Sequence, residues 1–130
     1  MSEFHIPETQ KIVLSVNDSP TMEQPMFQWY YENGVALVRA RSTAKAIELL
    51  GRAQYDAIVT NLHRFENGSK NDNAGIDLIQ QIRRMGNQMP AFIYTMNIDQ
   101  ATRQSALSSG ATYITTNPSE LQSMLKMHIF

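Results

Sequence analysis

Lys11-Ile12-Val13-Leu14-Ser15-Val16-Asn17-Asp18-Ser19-Pro20 is the stretch on which the fold turns. The run from Ile12 to Val16 is short, apolar and rich in β-branched residues, and it stops at a cluster of turn formers. It reads as a buried strand that ends in a turn. Downstream, Met22, Met26, Trp29 or Tyr30, and Asn33 recur at helical spacing, and Asn33-Gly34 supplies residue types that end helices in left-handed geometry. Val35-Ala36-Leu37-Val38 is the second strand. Ser42 can cap a second helix carrying Ala46, Ile47 and Leu50, which Gly51 stops.

The same alternation continues to the end of the chain. Ala57-Ile58-Val59-Thr60 is a third strand, followed from Asn61 to Ala74 by a polar stretch rich in Asn, Asp, Gly and Ser that reads as a loop. Leu78, Ile79, Ile82 and Met85 or Gly86 mark a third helix, and Pro90 precedes a fourth strand, Ala91-Phe92-Ile93-Tyr94. A weakly amphipathic fourth helix, about Asp99 to Ser109, ends at Gly110. Tyr113-Ile114-Thr115 is the fifth strand, and the last helix places Leu121, Met124, Leu125 and His128 on one face. Strands separated by single helices and buried on both faces belong to an α/β, three-layer, doubly wound five-stranded parallel sheet. In such a fold, ligands sit beyond the carboxyl ends of the strands. Asn17, Asp18, Asn61, Thr95 and Asn117 therefore become the candidate site.

Bulk properties narrow the function. A chain of 130 residues, 42% of them hydrophobic, suits one domain spanning 1–130 with a core at about 11–127. With 18% charged residues and a net charge of -1, no basic face for nucleic acid is indicated. The absence of cysteine excludes disulfides and thiolate metal sites. Met1-Ser2-Glu3-Phe4-His5 lacks the apolar stretch of a secretory signal, and no run approaches the roughly 20 apolar residues of a membrane span, so a soluble cytoplasmic protein is expected. No glycine-rich phosphate loop or Gly-x-Ser-x-Gly elbow is present. His5 and His128 lack partners at metal-ligand spacing.

The strand-end residues carry a resemblance. Val16-Asn17-Asp18-Ser19-Pro20, Thr60-Asn61, Tyr94-Thr95 and Thr116-Asn117-Pro118 are similar to the corresponding segments of the bacterial response-regulator receiver domain, in its atypical, pseudo-receiver form. The resemblance implies the flavodoxin-like strand order 2-1-3-4-5, the order that general accounts give for a chemotaxis receiver. In that family an acidic pair after strand one binds magnesium and an aspartate after strand three accepts phosphate. A Thr or Ser after strand four and a Lys after strand five hold the phosphoryl group. Residue by residue, the acidic pair becomes Asn17 and Asp18, the acceptor becomes Asn61, the hydroxyl is Thr95 and the lysine becomes Asn117, while the aromatic switch position becomes Ile114. The loop after Asn61 is longer than usual and lacks the Met-Pro turn.

An amide oxygen carries no full charge and forms no stable acyl phosphate, and Asp18 is left as the one carboxylate to hold magnesium, weakly. The resemblance thus implies a stand-alone, degenerate receiver of two-component or phosphorelay signalling, not an enzyme. It would act through protein contacts on the face formed by helix four, strand five and helix five (Met96, Arg103, Tyr113, Thr115, Gln122), with a second copy among the candidate partners. Two alternatives stand beside it: a phosphorylatable regulator with a nonstandard acceptor, and a small-ligand binder of the same fold. Structural readings compete at each position. Asn117-Pro118-Ser119-Glu120 spells a helix start with a Glu reaching back, Asn17-Asp18 can simply shape a turn, and His63-Arg64 reads as a solvated loop pair.

Overall fold

The computed structural model describes residues 10–130; the polar start and His5 lie outside the described residues. Among the described residues, seven strands and five helices follow one another as β1 (Lys11–Val16), α1 (Gln24–Glu32), β2 (Val35–Ala40), α2 (Thr43–Leu50), β3 (Ala57–Thr60), β4 (Arg64–Glu66), β5 (Ser69–Asn71), α3 (Ala74–Arg84), β6 (Ala91–Tyr94), α4 (Gln100–Ser108), β7 (Tyr113–Thr115) and α5 (Pro118–Ile129). A 3-10 turn, Pro20–Glu23, leads into α1. It absorbs Met22, so α1 begins later than the hydrophobic spacing suggests.

Five strands form one parallel sheet in the order β2-β1-β3-β6-β7, which is 2-1-3-4-5 when the sheet's own strands are counted. Side chains alternate across it. Leu14, Val16, Ile58, Ile93 and Ile114 point to the layer of α2, α3 and α4, where Ala46, Leu78, Ile79, Ile82 and Ala106 cover them. Val13, Val59, Phe92 and Tyr94 point the other way, under Met26 and Tyr30 of α1 and Leu121, Leu125 and Ile129 of α5. Burying both faces explains why the strands read as continuous apolar runs.

Of the alternatives Trp29 and Tyr30 in α1, Tyr30 takes the fully buried position, at 2% exposure. Two expectations need correction. In α5, His128 is exposed and only edges the Phe92 ring, while Ile129 is buried. The segment Asn61 to Ala74 is no plain loop. Its β4 and β5 pair antiparallel, Arg64 with Asn71 and Glu66 with Ser69. Asn67 (φ 55) and Gly68 (φ 81) form the turn between them, and positive φ at both central residues is the type I′ geometry that matches strand twist.

Candidate functional site

The end of β1 is joined by backbone to the ends of β3 and β2 before any side chain acts. The Asn61 N–H donates to Val16 O at 3.0 Å, and the Asn17 N–H donates to Ala40 O at 2.9 Å. Asn17, Asp18 and Asn61 therefore meet at one spot. Asn17 Oδ1 accepts from the Ser19 N–H at 2.7 Å, which shapes the turn, and from Asn61 Nδ2 at 3.2 Å. Asn61 Nδ2 also donates to Asp18 Oδ1 at 2.9 Å and to the His63 carbonyl at 2.8 Å. Asp18 Oδ2 accepts the Phe65 N–H at 3.0 Å, so the carboxylate ties β1 to the outer edge of β4. Gly75 lets α3 start against this cluster: a Cβ there would sit 2.2 Å from the Asn61 carbonyl oxygen.

Arg64 completes the cluster. It is 1% exposed, in contrast to the solvated loop residue expected from its neighbours. One terminal nitrogen donates to Asn61 Oδ1 and Thr60 Oγ1, both at 2.7 Å; the other donates to Thr43 Oγ1 at 2.8 Å and to the Ala74 carbonyl at 3.3 Å. Nε faces Glu66 Oε2 at 3.2 Å. Glu66 in turn accepts from the Thr43 N–H at 2.5 Å and from the Thr43 hydroxyl at 3.0 Å, which docks the hairpin on the first turn of α2. Burial pushes the Arg64 guanidinium below its usual range, with the charges of Glu66, Asp18 and Asp77 opposing that shift. Arginine nevertheless stays protonated in proteins. For Glu66, burial raises the carboxyl, but the Thr43 N–H and the Arg64 charge outweigh it and hold the group below its ordinary value.

Alternation along the hairpin decides who is inside. Arg64 and Glu66 face the body of the protein, while His63 and Phe65 face outward, with His63 Nδ1 3.4 Å from Asp72 Oδ1 and Phe65 69% exposed. Sequence reading missed this because Arg-Phe-Glu and Ser-Lys-Asn lack the β-branched residues that usually mark strands. The available signal was Asn67-Gly68, the residue pair most typical of a two-residue hairpin turn.

The other candidates stand apart from the cluster. Thr95 is buried and its N–H donates to Thr115 O at 3.1 Å, but its hydroxyl bonds none of Asn17, Asp18, Asn61 or Arg64. Asn117 caps α5: its Oδ1 accepts from the N–H groups of Ser119 at 2.8 Å and Glu120 at 3.4 Å. Glu120 does not reach back to the cap's N–H as a capping box would have it. It accepts from the Thr115 hydroxyl at 2.5 Å, and that hydroxyl accepts the Asn117 N–H at 3.0 Å. Ile114 is fully buried, and the Arg103 guanidinium donates to its carbonyl at 3.2 Å.

This donor set does not fit a magnesium ion. Magnesium takes hard oxygens in near-octahedral array, usually with one or two carboxylates. Here Asp18 is the lone carboxylate of the strand-end cluster, both its oxygens accept hydrogen bonds, and a guanidinium already donates to the oxygen of Asn61. Among the described residues, no three His, Cys, Asp or Glu side chains gather as a metal site.

Comparison with known proteins agrees with this architecture. The family described as response regulator receiver domain matches residues 13–128. Among solved structures, the chain is similar to the receiver domain of the Francisella response regulator 1452, with a TM-score of 0.76 and 21% identity over 92% of this chain and 96% of that one. It is similar to the chemotaxis response regulator CheY4 of Vibrio cholerae, with a TM-score of 0.72 and 20% identity over 92% and 98%. The BeF3-activated receiver domain of Klebsiella pneumoniae RstA gives 0.76 and 19% over 91% and 97%. No curated protein matches the chain.

Proposed function

Because the chain belongs to the response regulator receiver domain family, we propose that it serves two-component signalling as a degenerate receiver, which is not phosphorylated at the strand ends and works through protein contacts. One observation carries this reading: the buried Arg64 guanidinium donates to Oδ1 of Asn61, the residue that the family resemblance puts at the phosphoacceptor position. Phosphoryl transfer needs a charged nucleophile, a metal to neutralise the transferring oxygens, and room for in-line attack. Asn61 supplies no carboxylate, both oxygens of Asp18 accept hydrogen bonds from Asn61 and Phe65, and the oxygen of Asn61 is held by the Arg64 guanidinium. Arg64 instead ties the β3 end to α2 from within the chain.

The contact surface in this reading is the face of α4, β7 and α5. In this reading Met96, which is 70% exposed, and the half-buried Arg103, Tyr113 and Gln122 supply the contacts. Thr115, expected on that face, is buried under Glu120 and is left out of it.

The test is intact mass after incubation with a small phosphodonor and magnesium, for the natural chain, Asn61→Asp, and Asn61→Asp combined with Arg64→Ala. The expected result is no phosphoryl adduct on the natural chain and little on Asn61→Asp, because the new carboxylate pairs with Arg64. A stable adduct on the natural chain, mapped to any residue of the cluster, refutes the proposal.

A further inference from the structure

Two Asn-Gly pairs occur in the chain, Asn33-Gly34 and Asn67-Gly68, and the fold treats them differently. Asn33 closes α1. Its Nδ2 donates to Trp29 O at 2.8 Å, its N–H is held by the Trp29 and Tyr30 carbonyls, and the Gly34 N–H points at Tyr31 O at 3.4 Å. Asn67 sits at the tip of the β4–β5 hairpin, exposed, with the left-handed φ of 55 that no other non-glycine described residue adopts. Its side-chain amide and the Gly68 N–H hydrogen-bond nothing among the described residues, and the space where a Gly68 Cβ would stand is open to 4 Å.

The geometry points to Asn67 as a spontaneous modification site: a slow loss of its amide that loosens the hairpin carrying Arg64. The Gly68 backbone nitrogen gives up its proton and bonds to Asn67 Cγ, and Nδ2 leaves as ammonia. The resulting five-membered imide is opened by water at either carbonyl. Opening at Cγ gives aspartate, and opening at the main-chain carbonyl gives isoaspartate. In sum, amide and water become carboxylate and ammonium, with no oxidant or second reactant. Glycine favours the attack because no side chain shields its nitrogen. Asn33 is protected because its amide and the following N–H are both tied to α1 carbonyls.

The consequence reaches the site. A type I′ turn of two residues has no slack, since Glu66 pairs with Ser69 immediately outside it. Isoaspartate routes the main chain through Cγ and inserts an extra backbone atom, which breaks that register. Glu66 and Arg64, one and three residues upstream, then lose the strand pairing that aims them at Thr43 and Asn61.

The experiment is ageing of the full chain in mildly alkaline buffer, peptide mapping with separation of aspartyl from isoaspartyl products, and hydrogen exchange on the separated forms. Asn67 is expected to convert first, with a mass gain of about one dalton, while Asn33 keeps its amide. Amide protection of residues 64–71 falls in the isoaspartyl form but is retained in the Asn67→Asp variant, which carries the charge without the altered backbone. Conversion of Asn33 before Asn67 overturns the assignment of the site. Unchanged protection in the isoaspartyl form, or equal loss in Asn67→Asp, overturns the coupling through the turn.

Discussion

Replacing Arg64 tests most directly whether the guanidinium holds the strand ends together. Arg64→Ala removes the donor to Thr60 Oγ1, Asn61 Oδ1 and Thr43 Oγ1, and leaves Glu66, whose side chain is 13% exposed, without its cation. Deleting one member of a buried, hydrogen-bonded ion pair typically costs about 3–5 kcal/mol. Glu66 keeps the Thr43 N–H and some contact with water, which pulls the figure toward the lower end, about 3 kcal/mol. Arg64→Met refills the volume of the side-chain stem and should cost about 1 kcal/mol less, the difference being the cavity. Against a typical total of about 5–15 kcal/mol, either loss is a large fraction. Urea melts read both, with the slope m unchanged if only stability is altered.

The same melts carry a pH signature. A carboxyl held below its unfolded value adds stability that is present above that value and is lost as pH falls through the folded one. Glu66 is such a group. The natural chain should therefore lose more stability on acidification than Arg64→Met, in which the Arg64 charge no longer holds Glu66 down. An Arg64→Ala cost under about 0.5 kcal/mol, the range of ordinary surface substitutions, would mean that the guanidinium is solvated and the reasoning wrong.

Further expectations come from single contacts. Asp18→Asn should cost about 1–2 kcal/mol in denaturant melts without any metal, because an amide offers one acceptor oxygen where Asn61 Nδ2 and the Phe65 N–H each need one; a neutral outcome would show the two contacts to be dispensable. Glu23 lies 2% exposed against the Ser15 hydroxyl and Tyr30, and burial lifts its carboxyl above the ordinary value even though Ser15, the Arg39 charge and Tyr30 oppose the shift. A group with a raised folded pKa gives stability that is full below its unfolded value, about 4.5, and is lost as pH rises through the folded one. Glu23→Gln should thus gain on the natural chain as pH rises from 4.5 toward neutrality; parallel stability profiles would contradict the burial effect. Gly75→Ala should cost at least about 1–3 kcal/mol, the usual range for overpacking, since its Cβ meets a backbone oxygen that cannot rotate away.

Much of the fold was legible along the chain because each strand is buried on both faces and each helix on one. That burial writes β-branched apolar runs such as Ile12 to Val16 and Ala91 to Tyr94, and spacings such as Leu78, Ile79 and Ile82, directly into the residue order. The strand ends were equally readable. A residue just past an apolar strand run lies at the sheet's carboxyl edge, so residue order alone brings Asn17, Asp18 and Asn61 together. The amides at those positions are a matter of residue identity alone.

What tertiary structure decided is the use of those positions. Thr95 and Asn117 occupy neighbouring strand ends, yet one is packed away and the other is spent capping α5, since a free helix terminus makes its own demand on a nearby acceptor. Arg64 is the sharper case. In sequence it is a charged residue in a polar stretch, the type found exposed almost everywhere. Its burial depends on acceptors on Thr43, Thr60, Asn61 and Ala74 and a carboxylate on Glu66, brought to one point from α2, β3, α3 and the hairpin itself. No local pattern encodes that convergence, because the desolvation of a charge is repaid only when long-range contacts have already formed.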